Sequence, residues 1–176
     1  MWKPQSPGRD MRALIGLGGN IGDPVLAMSR ALDLLDSHAA ITVLSVSSLY
    51  RTPPWGKIDQ PDFFNACANL ATGLGPVDLL EMCLHTEVQL KRVRRERWGP
   101  RTIDIDLLWH SRGPIDVRGL TLPHPRMFER VFVLLPLSEI AGDLSLEGKT
   151  VNEWAHDIKS ARHTVVSGPD WWTKQT

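Results

Sequence analysis

The sequence has no surplus of either charge, few cysteines and no long apolar run. Its 176 residues include 20 basic and 20 acidic side chains, so no overall field directs the chain to nucleic acid or to an anionic membrane. Cys67 and Cys83 lie in apolar surroundings without metal-ligand spacing, and nothing indicates a disulfide framework; this favours a reducing, cytoplasmic compartment. No apolar window approaches the length of a membrane span. Any electrostatic binding must therefore depend on local clusters.

The common nucleotide-binding loops are also missing. In "GLGGNIG" (16–22), Ile21 stands where a dinucleotide motif requires its third glycine, and no GK[ST] element occurs. Gly18 and Gly19 are consistent with a tight turn or a close backbone approach. No histidine, glutamate or cysteine is evidently placed as an activated nucleophile, so we expect no covalent intermediate.

Alternating hydrophobic patterns predict one α+β domain. Strand patterns cover 12–18, 41–51, 63–72 and 102–110, and helical patterns cover 24–38 and 75–93. This β-α-β-β-α-β order, with additions, predicts a ferredoxin-like α/β sandwich with helices on one face of a mostly antiparallel sheet. The stretch 125–143 is less regular, whereas 151–161 and 163–168 predict a further helix and strand in a C-terminal extension.

The length of the chain fits one domain with a sizeable core. We expect residues 1–10 to form a disordered leader, 11–168 a single domain and 169–176 a C-terminal tail. The sequence indicates no role for Trp171 and Trp172 in that tail.

Two acids dominate the segment "TIDIDLLWH" (102–110). Alternate strand residues share a face, about 6.6 to 6.8 Å apart, so Asp104 and Asp106 lie side by side while Ile103 and Ile105 take the buried face. Two carboxylates about 5 Å apart repel by about 3 kcal/mol at an effective dielectric of about 20, so a cation should bind between them. Magnesium prefers such oxygens. The alternative is that both acids are simply ion-paired to neighbouring arginines.

A cluster of basic residues precedes this strand. Its members are Arg92, Arg94, Arg95, Arg97 and Arg101. Guanidinium groups bind phosphate oxygens bidentately, so the cluster suits a polyphosphate; a solvated helix end, where cations are favoured, is the alternative. A magnesium-bound triphosphate would account for the acids and the arginines together.

Four segments within residues 12–141 together resemble the 6-hydroxymethyl-7,8-dihydropterin pyrophosphokinase family. They are "GLGGNIGDP", "SSLYRTPPWGKIDQPDFFNA", "RVRRERWGPRTIDIDLL" and "LTLPHPRMFERVFVLLPL", in the family's order. The third is highly specific because its arginines, WGPR and DxD occur at fixed spacing. The resemblance implies a folate-pathway enzyme that transfers diphosphate from ATP to a pterin alcohol with two magnesium ions.

The resemblance implies a set of metal and nucleotide contacts. Asp104 and Asp106 would hold the magnesium ions, and Arg94 and Arg97 would close on the phosphates as catalytic residues. The other implied ATP contacts are Glu87, Arg92, Trp98, Arg101, Leu107, Thr121, His124 and Arg130. The chain departs from the common pattern at two positions: Pro125 replaces an aromatic residue after the histidine, and Gly119 stands where some family members have an arginine.

The resemblance also implies a pterin pocket. A flat pterin needs aromatic walls and a few fixed polar groups; Phe63 and Phe132 would stack on its faces, and Asn65 would hydrogen-bond the ring. The remaining implied contacts are Gly18, Thr52, Pro53, Pro54 and Trp55. From the residues alone, the phenylalanines could equally be core and the asparagine solvated.

The resulting prediction is a monomeric cytoplasmic enzyme that acts on ATP and the pterin and binds neither nucleic acid nor membrane. The alternative class is a ferredoxin-like binding module, either a nucleotide sensor or an RNA binder, that uses the arginines without chemistry. An RNA-binding sheet needs exposed aromatic and basic residues on its central strands. The strand taken as central here carries aspartates, which would repel RNA.

Overall fold

The fold is described by a computed structural model over residues 10–54, 59–91, 99–158 and 163–174. The helices in these ranges are α1 (Pro24–Asp36), α2 (Pro76–Gln89), α3 (Val131–Ala141) and α4 (Val151–Asp157). The strands are β1 (Met11–Gly19), β2 (Ile41–Val46), β3 (Leu49–Thr52), β4 (Phe63–Thr72), β5 (Asp104–His110), β6 (Ile115–Val117), β7 (Leu120–Leu122), β8 (Ser145–Leu146), β9 (Lys149–Thr150) and β10 (Thr164–Ser167). Of the leader expected at 1–10, only Asp10 lies within the described residues.

Six of the strands form one antiparallel sheet. Its order is β10-β3-β4-β1-β5, and β2 pairs with β4 beside β3. β1 is flanked by β4 and β5 and is antiparallel to both. The predicted ferredoxin-like α/β arrangement is confirmed. The strand with the two aspartates, β5, lies at the sheet edge, so its placement at the centre was wrong.

Local signals explain where the first two helices begin and end. Asp23 caps α1, since its Oδ1 accepts a hydrogen bond from Leu26 N at 3.0 Å. Both helices carry proline in their first turn, where the missing N–H has no intrahelical partner. α2 ends at Gln89, before the predicted residue 93, and Lys91 has a φ of 59° that cannot continue a right-handed helix.

The single strand predicted over 41–51 is interrupted at Ser47 and Ser48. Ser47 Oγ accepts from Cys67 N at 2.9 Å, and Ser48 N donates to the Glu139 carboxylate at 2.8 Å. These side-chain bonds replace part of the regular ladder, as serine hydroxyls commonly do. The chain therefore bends between β2 and β3, and both still pair with β4.

Apolar side chains pack on both faces of the sheet. Ile15 belongs to the cluster beneath α1 and α2, whereas Leu14 belongs to the cluster beneath α3 and α4. Because successive strand residues point to opposite faces, helices cover two faces and not one as the sequence indicated. α3 lies in the stretch described above as irregular. Its nearly uniform apolar composition and the internal Pro136 conceal the helical period.

The C-terminal residues pack on the side of α1. Trp172 is 9% exposed, and its Nε1 donates to Asp33 Oδ1 at 2.9 Å. Trp171 Nε1 donates to Ser47 O at 2.8 Å, and β10 extends the sheet beside β3. The two tryptophans thus join the extension to the core. None of the described helices has the length and apolarity that a bilayer crossing requires.

Close backbone approach is a real constraint at the end of β1. A Cβ atom added to Gly19 would lie 2.5 Å from Thr102 O, closer than such atoms can come. A Cβ atom added to Gly16, on the same strand, would meet only the Leu108 side chain at 3.6 Å. The approach expected for the glycine run therefore applies at Gly19.

We expect Gly19→Ala to lower the free energy of unfolding by about 1 to 3 kcal/mol, because the β1 end or the backbone before β5 must shift. Urea denaturation followed by tryptophan fluorescence measures this. Gly16→Ala is the matched control and should lose clearly less. Equal losses in the two variants would contradict the importance of the Thr102 contact.

Candidate active site

Asp104 and Asp106 share one face of β5, as strand periodicity predicted. Ile103 and Ile105, which alternate with them, are fully buried or nearly so. The aspartate side chains retain 19% and 35% exposure. The two carboxylates thus lie on the partly exposed side of this strand, and the isoleucines on its other side are packed in the core.

Each aspartate is paired with an arginine. Arg101 Nη1 lies 3.0 Å from Asp104 Oδ2, and Arg130 Nη1 lies 3.3 Å from Asp106 Oδ2. The Nε atom of each arginine is buried and has no hydrogen-bond partner within the described part of the chain. A buried donor without an acceptor is costly. Each arginine side chain is still partly exposed, Arg101 by 28% and Arg130 by 12%, so its accessible N–H groups could donate to a further anionic oxygen.

The electrostatics of the pair are unfavourable at Asp106. Burial raises the pKa of the Asp106 carboxyl above its ordinary value, and the charge on Asp104 raises it further. Three cations or potential cations oppose this rise without cancelling it, namely His124, Arg130 and Arg101. A cation shared between the two carboxylates would relieve the repulsion.

His124 lies beside this pair, and its surroundings favour the neutral form of the imidazole. Burial lowers the pKa of its imidazole, even though the charge on Asp106 acts in the opposite direction. Its Nδ1 accepts from Arg126 N at 3.2 Å. The proton of the neutral ring is therefore on Nε2, which can donate to an anionic oxygen.

A cavity of about 470 Å³ opens beside β5. Leu80 and Leu84 of α2 provide apolar lining. The predicted metal or nucleotide residues that line it are Glu87, Asp104, Asp106, Leu107, Thr121 and His124. Such a mixed wall suits a ligand with an aromatic base and a charged chain.

Two departures from the family pattern also lie on this wall. Gly119 and Pro125 line the cavity. Gly119 has a φ of 86° in the turn between β6 and β7, a conformation that side-chain-bearing residues rarely adopt. The glycine is thus required by the turn, whatever its effect on the ligand.

Glu87 joins α2 to the wall of the cavity. It is 3% exposed, and its Oε1 accepts from Ile105 N at 2.7 Å. β5 pairs only with β1 in the main sheet as described, so this carboxylate satisfies an N–H of an edge strand. This contact fixes the edge on which the aspartates lie.

The predicted pterin residues border the same face of the sheet. Gly18 is opposite Asn65 on one side and Asp104 on the other, and directly opposed residues share a face. The Cα atoms of Asn65 and Asp104 are therefore separated by two strand spacings, about 9 to 10 Å. Asn65 Nδ2 donates to Thr52 Oγ1 at 2.9 Å. A Cβ on Gly18 would come within 3.0 Å of Asn65 Oδ1, so the glycine keeps this amide accessible from β1.

The two predicted stacking residues each contact one of the paired arginines. The Arg101 guanidinium carbon lies 5.2 Å from the Phe63 ring centre, and that of Arg130 lies 5.7 Å from the Phe132 ring centre. Each arginine thus lies between an aspartate and an aromatic ring. The predicted residues outside the described ranges are Trp55, Arg92, Arg94, Arg97 and Trp98.

Asn20 is a polar residue of this region that the sequence reasoning missed. It is 6% exposed, and its Oδ1 accepts from Arg101 N at 2.9 Å. Its Nδ2 donates to Gln60 Oε1 at 3.1 Å and to Pro61 O at 2.9 Å. The signal that could have found it is its position directly after the glycine run of β1.

A family model and two relatives with similar sequences are described as pyrophosphokinases. The family model for 7,8-dihydro-6-hydroxymethylpterin-pyrophosphokinase matches residues 14–142. Two relatives named 2-amino-4-hydroxy-6-hydroxymethyldihydropteridine pyrophosphokinase come from Methylorubrum extorquens and Bacillus subtilis. The first is 49% identical over 142 residues, 81% of this chain and 90% of the relative. The second is 47% identical over 135 residues, 77% of this chain and 81% of the relative.

A solved structure agrees in fold. The HPPK-DHPS triple mutant of Plasmodium falciparum with STZ-DHP superposes with a TM-score of 0.68 at 14% identity. The match covers 88% of this chain but 45% of that one, so the chain spans less than half the length of that protein. By the family match and the two relatives, the chain belongs to the 7,8-dihydro-6-hydroxymethylpterin-pyrophosphokinase family.

Proposed function

We propose that Asp104 and Asp106 hold two magnesium ions against the phosphates of ATP while diphosphate is transferred to the pterin. The reaction is that of the family: diphosphate passes from ATP to 6-hydroxymethyl-7,8-dihydropterin, giving AMP and the pterin diphosphate in folate biosynthesis. The chain is accordingly a pyrophosphokinase. The observation that carries the assignment of the site is the pair of carboxylates on one face of β5, beside the cavity and the two arginines.

The donor set fits magnesium. Within the described ranges, no group of three or more histidine, cysteine, aspartate or glutamate side chains is arranged to hold a metal ion. Two carboxylates would leave most coordination positions for phosphate and water oxygens, which is how magnesium usually binds in phosphoryl-transfer enzymes. Magnesium bound there would neutralise phosphate charge and orient the reacting oxygens.

The arginines would bind the remaining anionic oxygens. Arg101 and Arg130 are ion-paired to the aspartates, as the alternative without chemistry also requires. Their side chains, however, remain 28% and 12% exposed, so their accessible N–H groups could donate to a phosphate chain. His124 would add a neutral Nε2–H donor from the cavity wall. Arg94 and Arg97 keep the catalytic roles that the resemblance implies.

The pterin would lie on the face that β1 leaves open at Gly18. Asn65 offers a fixed amide there, held by Thr52, and Phe63 and Phe132 lie beside the two arginines. A ring bound near Asn65 would direct its hydroxymethyl group across the strand toward Asp104. The separation of about 9 to 10 Å, two strand spacings, leaves room for the ring between them.

Positioning and charge neutralisation would account for the chemistry. The pterin hydroxyl would lose its proton to solvent as its oxygen forms a bond to the β-phosphorus of ATP, and the bond from that phosphorus to the α,β-bridging oxygen would break as AMP leaves. The chain need not supply a nucleophile. Both cysteines are buried free thiols, and burial raises the pKa of Cys83 to about 12, which makes a thiolate intermediate unfavourable.

We also propose that the enzyme acts as a cytoplasmic monomer without nucleic-acid partners. The balance of 20 basic and 20 acidic residues supports the absence of a nucleic-acid surface. Size-exclusion chromatography with light scattering would measure the oligomeric state.

Replacing either aspartate should weaken magnesium-dependent nucleotide binding and slow turnover. Asp104→Asn and Asp106→Asn each remove one ligand charge, so we expect kcat to fall by about 100-fold or more and calorimetric binding of ATP with magnesium to weaken. The fold should persist, with unfolding free energies within about 1 kcal/mol of wild type, because lost ion pairing is offset by relieved repulsion. Asp143→Asn, at an exposed carboxylate two residues after α3, is the matched control. Turnover like wild type in either site variant would exclude the proposed metal ligands.

The nucleotide product distinguishes this enzyme from an ordinary kinase. Purified protein with ATP, magnesium and 6-hydroxymethyl-7,8-dihydropterin should produce AMP and the pterin diphosphate in equal amounts, because attack is at the β-phosphorus. Chromatography measures both products, with reactions lacking pterin or magnesium as controls. ADP as the main product would contradict diphosphate transfer. No pterin-dependent consumption of ATP would favour the binding-module alternative.

A further inference from the structure

Asn20 is a buried polar side chain that none of the substrate-binding assignments explains. It directly follows β1 and is 6% exposed. Buried amides normally satisfy both their oxygen and their nitrogen. Asn20 does so with partners that are far away in sequence, 81 residues away at Arg101 and about 40 away at Gln60 and Pro61.

On one side, Asn20 fixes the backbone of Arg101. Its Oδ1 accepts from Arg101 N at 2.9 Å. The backbone N–H groups of Asn20 and Ile21 donate to Arg101 O at 2.9 and 3.2 Å. Both polar backbone atoms of Arg101 are thus held by residues 20–21. The same residue extends its guanidinium group to Asp104 at 3.0 Å.

On the other side, Asn20 holds the approach to β4. Its Nδ2 donates to Gln60 Oε1 at 3.1 Å and to Pro61 O at 2.9 Å. Two residues later, β4 begins at Phe63. The Phe63 ring is 5.2 Å from the Arg101 guanidinium carbon. The two segments that Asn20 connects therefore meet again through their side chains in the site.

We propose that Asn20 is a positioning residue for diphosphate transfer: it sets the backbone of Arg101 relative to the segment that leads into Phe63. This inference rests on the function proposed above, in which Arg101 binds phosphate and Phe63 binds the pterin. A single amide side chain then holds the part of the site that binds the nucleotide in a fixed position relative to the part that binds the pterin. Displacements of about 1 Å in such a frame can cost about 100-fold in rate.

The oxygen and the nitrogen of the amide serve different sides, so two variants separate them. Asn20→Asp retains an acceptor for Arg101 N but places a carboxylate oxygen against Gln60 Oε1 and Pro61 O. Asn20→Ala removes both sets of contacts. We expect Asn20→Asp to raise the KM for the pterin more than the KM for ATP, and Asn20→Ala to lower kcat/KM for both substrates by about 10- to 100-fold. Gln60→Ala removes one of the two acceptors of Asn20 Nδ2. We therefore expect it to change the KM values in the same direction as Asn20→Asp, but by less.

A control must lose a buried hydrogen bond without touching the site. Trp172→Phe does this, because it removes the Nε1 bond to Asp33 on the side of α1. Thermal melts of all variants establish which of them are folded at the assay temperature. If Asn20→Ala is not folded at that temperature, the kinetic constants of Asn20→Asp and Gln60→Ala test the positioning role.

The measurements are kcat and KM for each substrate, together with calorimetric affinity for ATP with magnesium and for the pterin alone. Wild type that forms no pterin diphosphate would refute the proposed function itself. Active wild type with Asn20 variants within twofold of Trp172→Phe in every constant would refute the positioning role. A selective effect of Asn20→Asp on the pterin constants, absent in Trp172→Phe, would establish it.

Discussion

The placement of two carboxylates on one face of an edge strand is the constraint on which the site depends. Asp104 and Asp106 repel each other, and burial raises the pKa of Asp106 further. Each carboxylate is paired with an arginine. Arg101, just before β5, pairs with Asp104, and Arg130, at the start of α3, pairs with Asp106. These two ion pairs connect the entry into β5 and the start of α3 to the carboxylates, and the cavity lies beside the same strand.

The neighbouring strand makes this charged edge usable. β1 places glycine opposite each aspartate, Gly18 beside Asp104 and Gly16 beside Asp106. Without side chains at these positions, the face between the acids and β4 has no obstacle from β1. Because Gly19 has no Cβ, the backbone at Thr102, just before β5, can lie close to the end of β1. One short run of glycines thus provides space for a ligand and close packing for the loop that carries Arg101.

Local patterns predicted those parts of the molecule whose contacts are local or strictly periodic. The common face of Asp104 and Asp106 follows from the period of a strand, and the start of α1 follows from Asp23 and Pro24. Patterns failed where side chains replace backbone bonds, as at Ser47, or where an element is apolar on all sides, as in α3. They also missed Asn20, because its partners lie 40 and 81 residues away and only the tertiary fold brings them together. The family resemblance supplied roles for individual side chains that periodicity alone left open.

Each arginine that pairs with an aspartate keeps one buried hydrogen-bond donor without an acceptor in the described part of the chain. A purely structural ion pair would be expected to satisfy that donor. An ion pair evolved only for stability gains most when every donor has an acceptor, since each buried donor left over costs free energy. Arg101 and Arg130 each bury an Nε group without a partner in the described part of the chain. Departures from full satisfaction are characteristic of functional sites. The arginines offset the carboxylates, and in the proposed function they also donate to anionic oxygens of the phosphate chain.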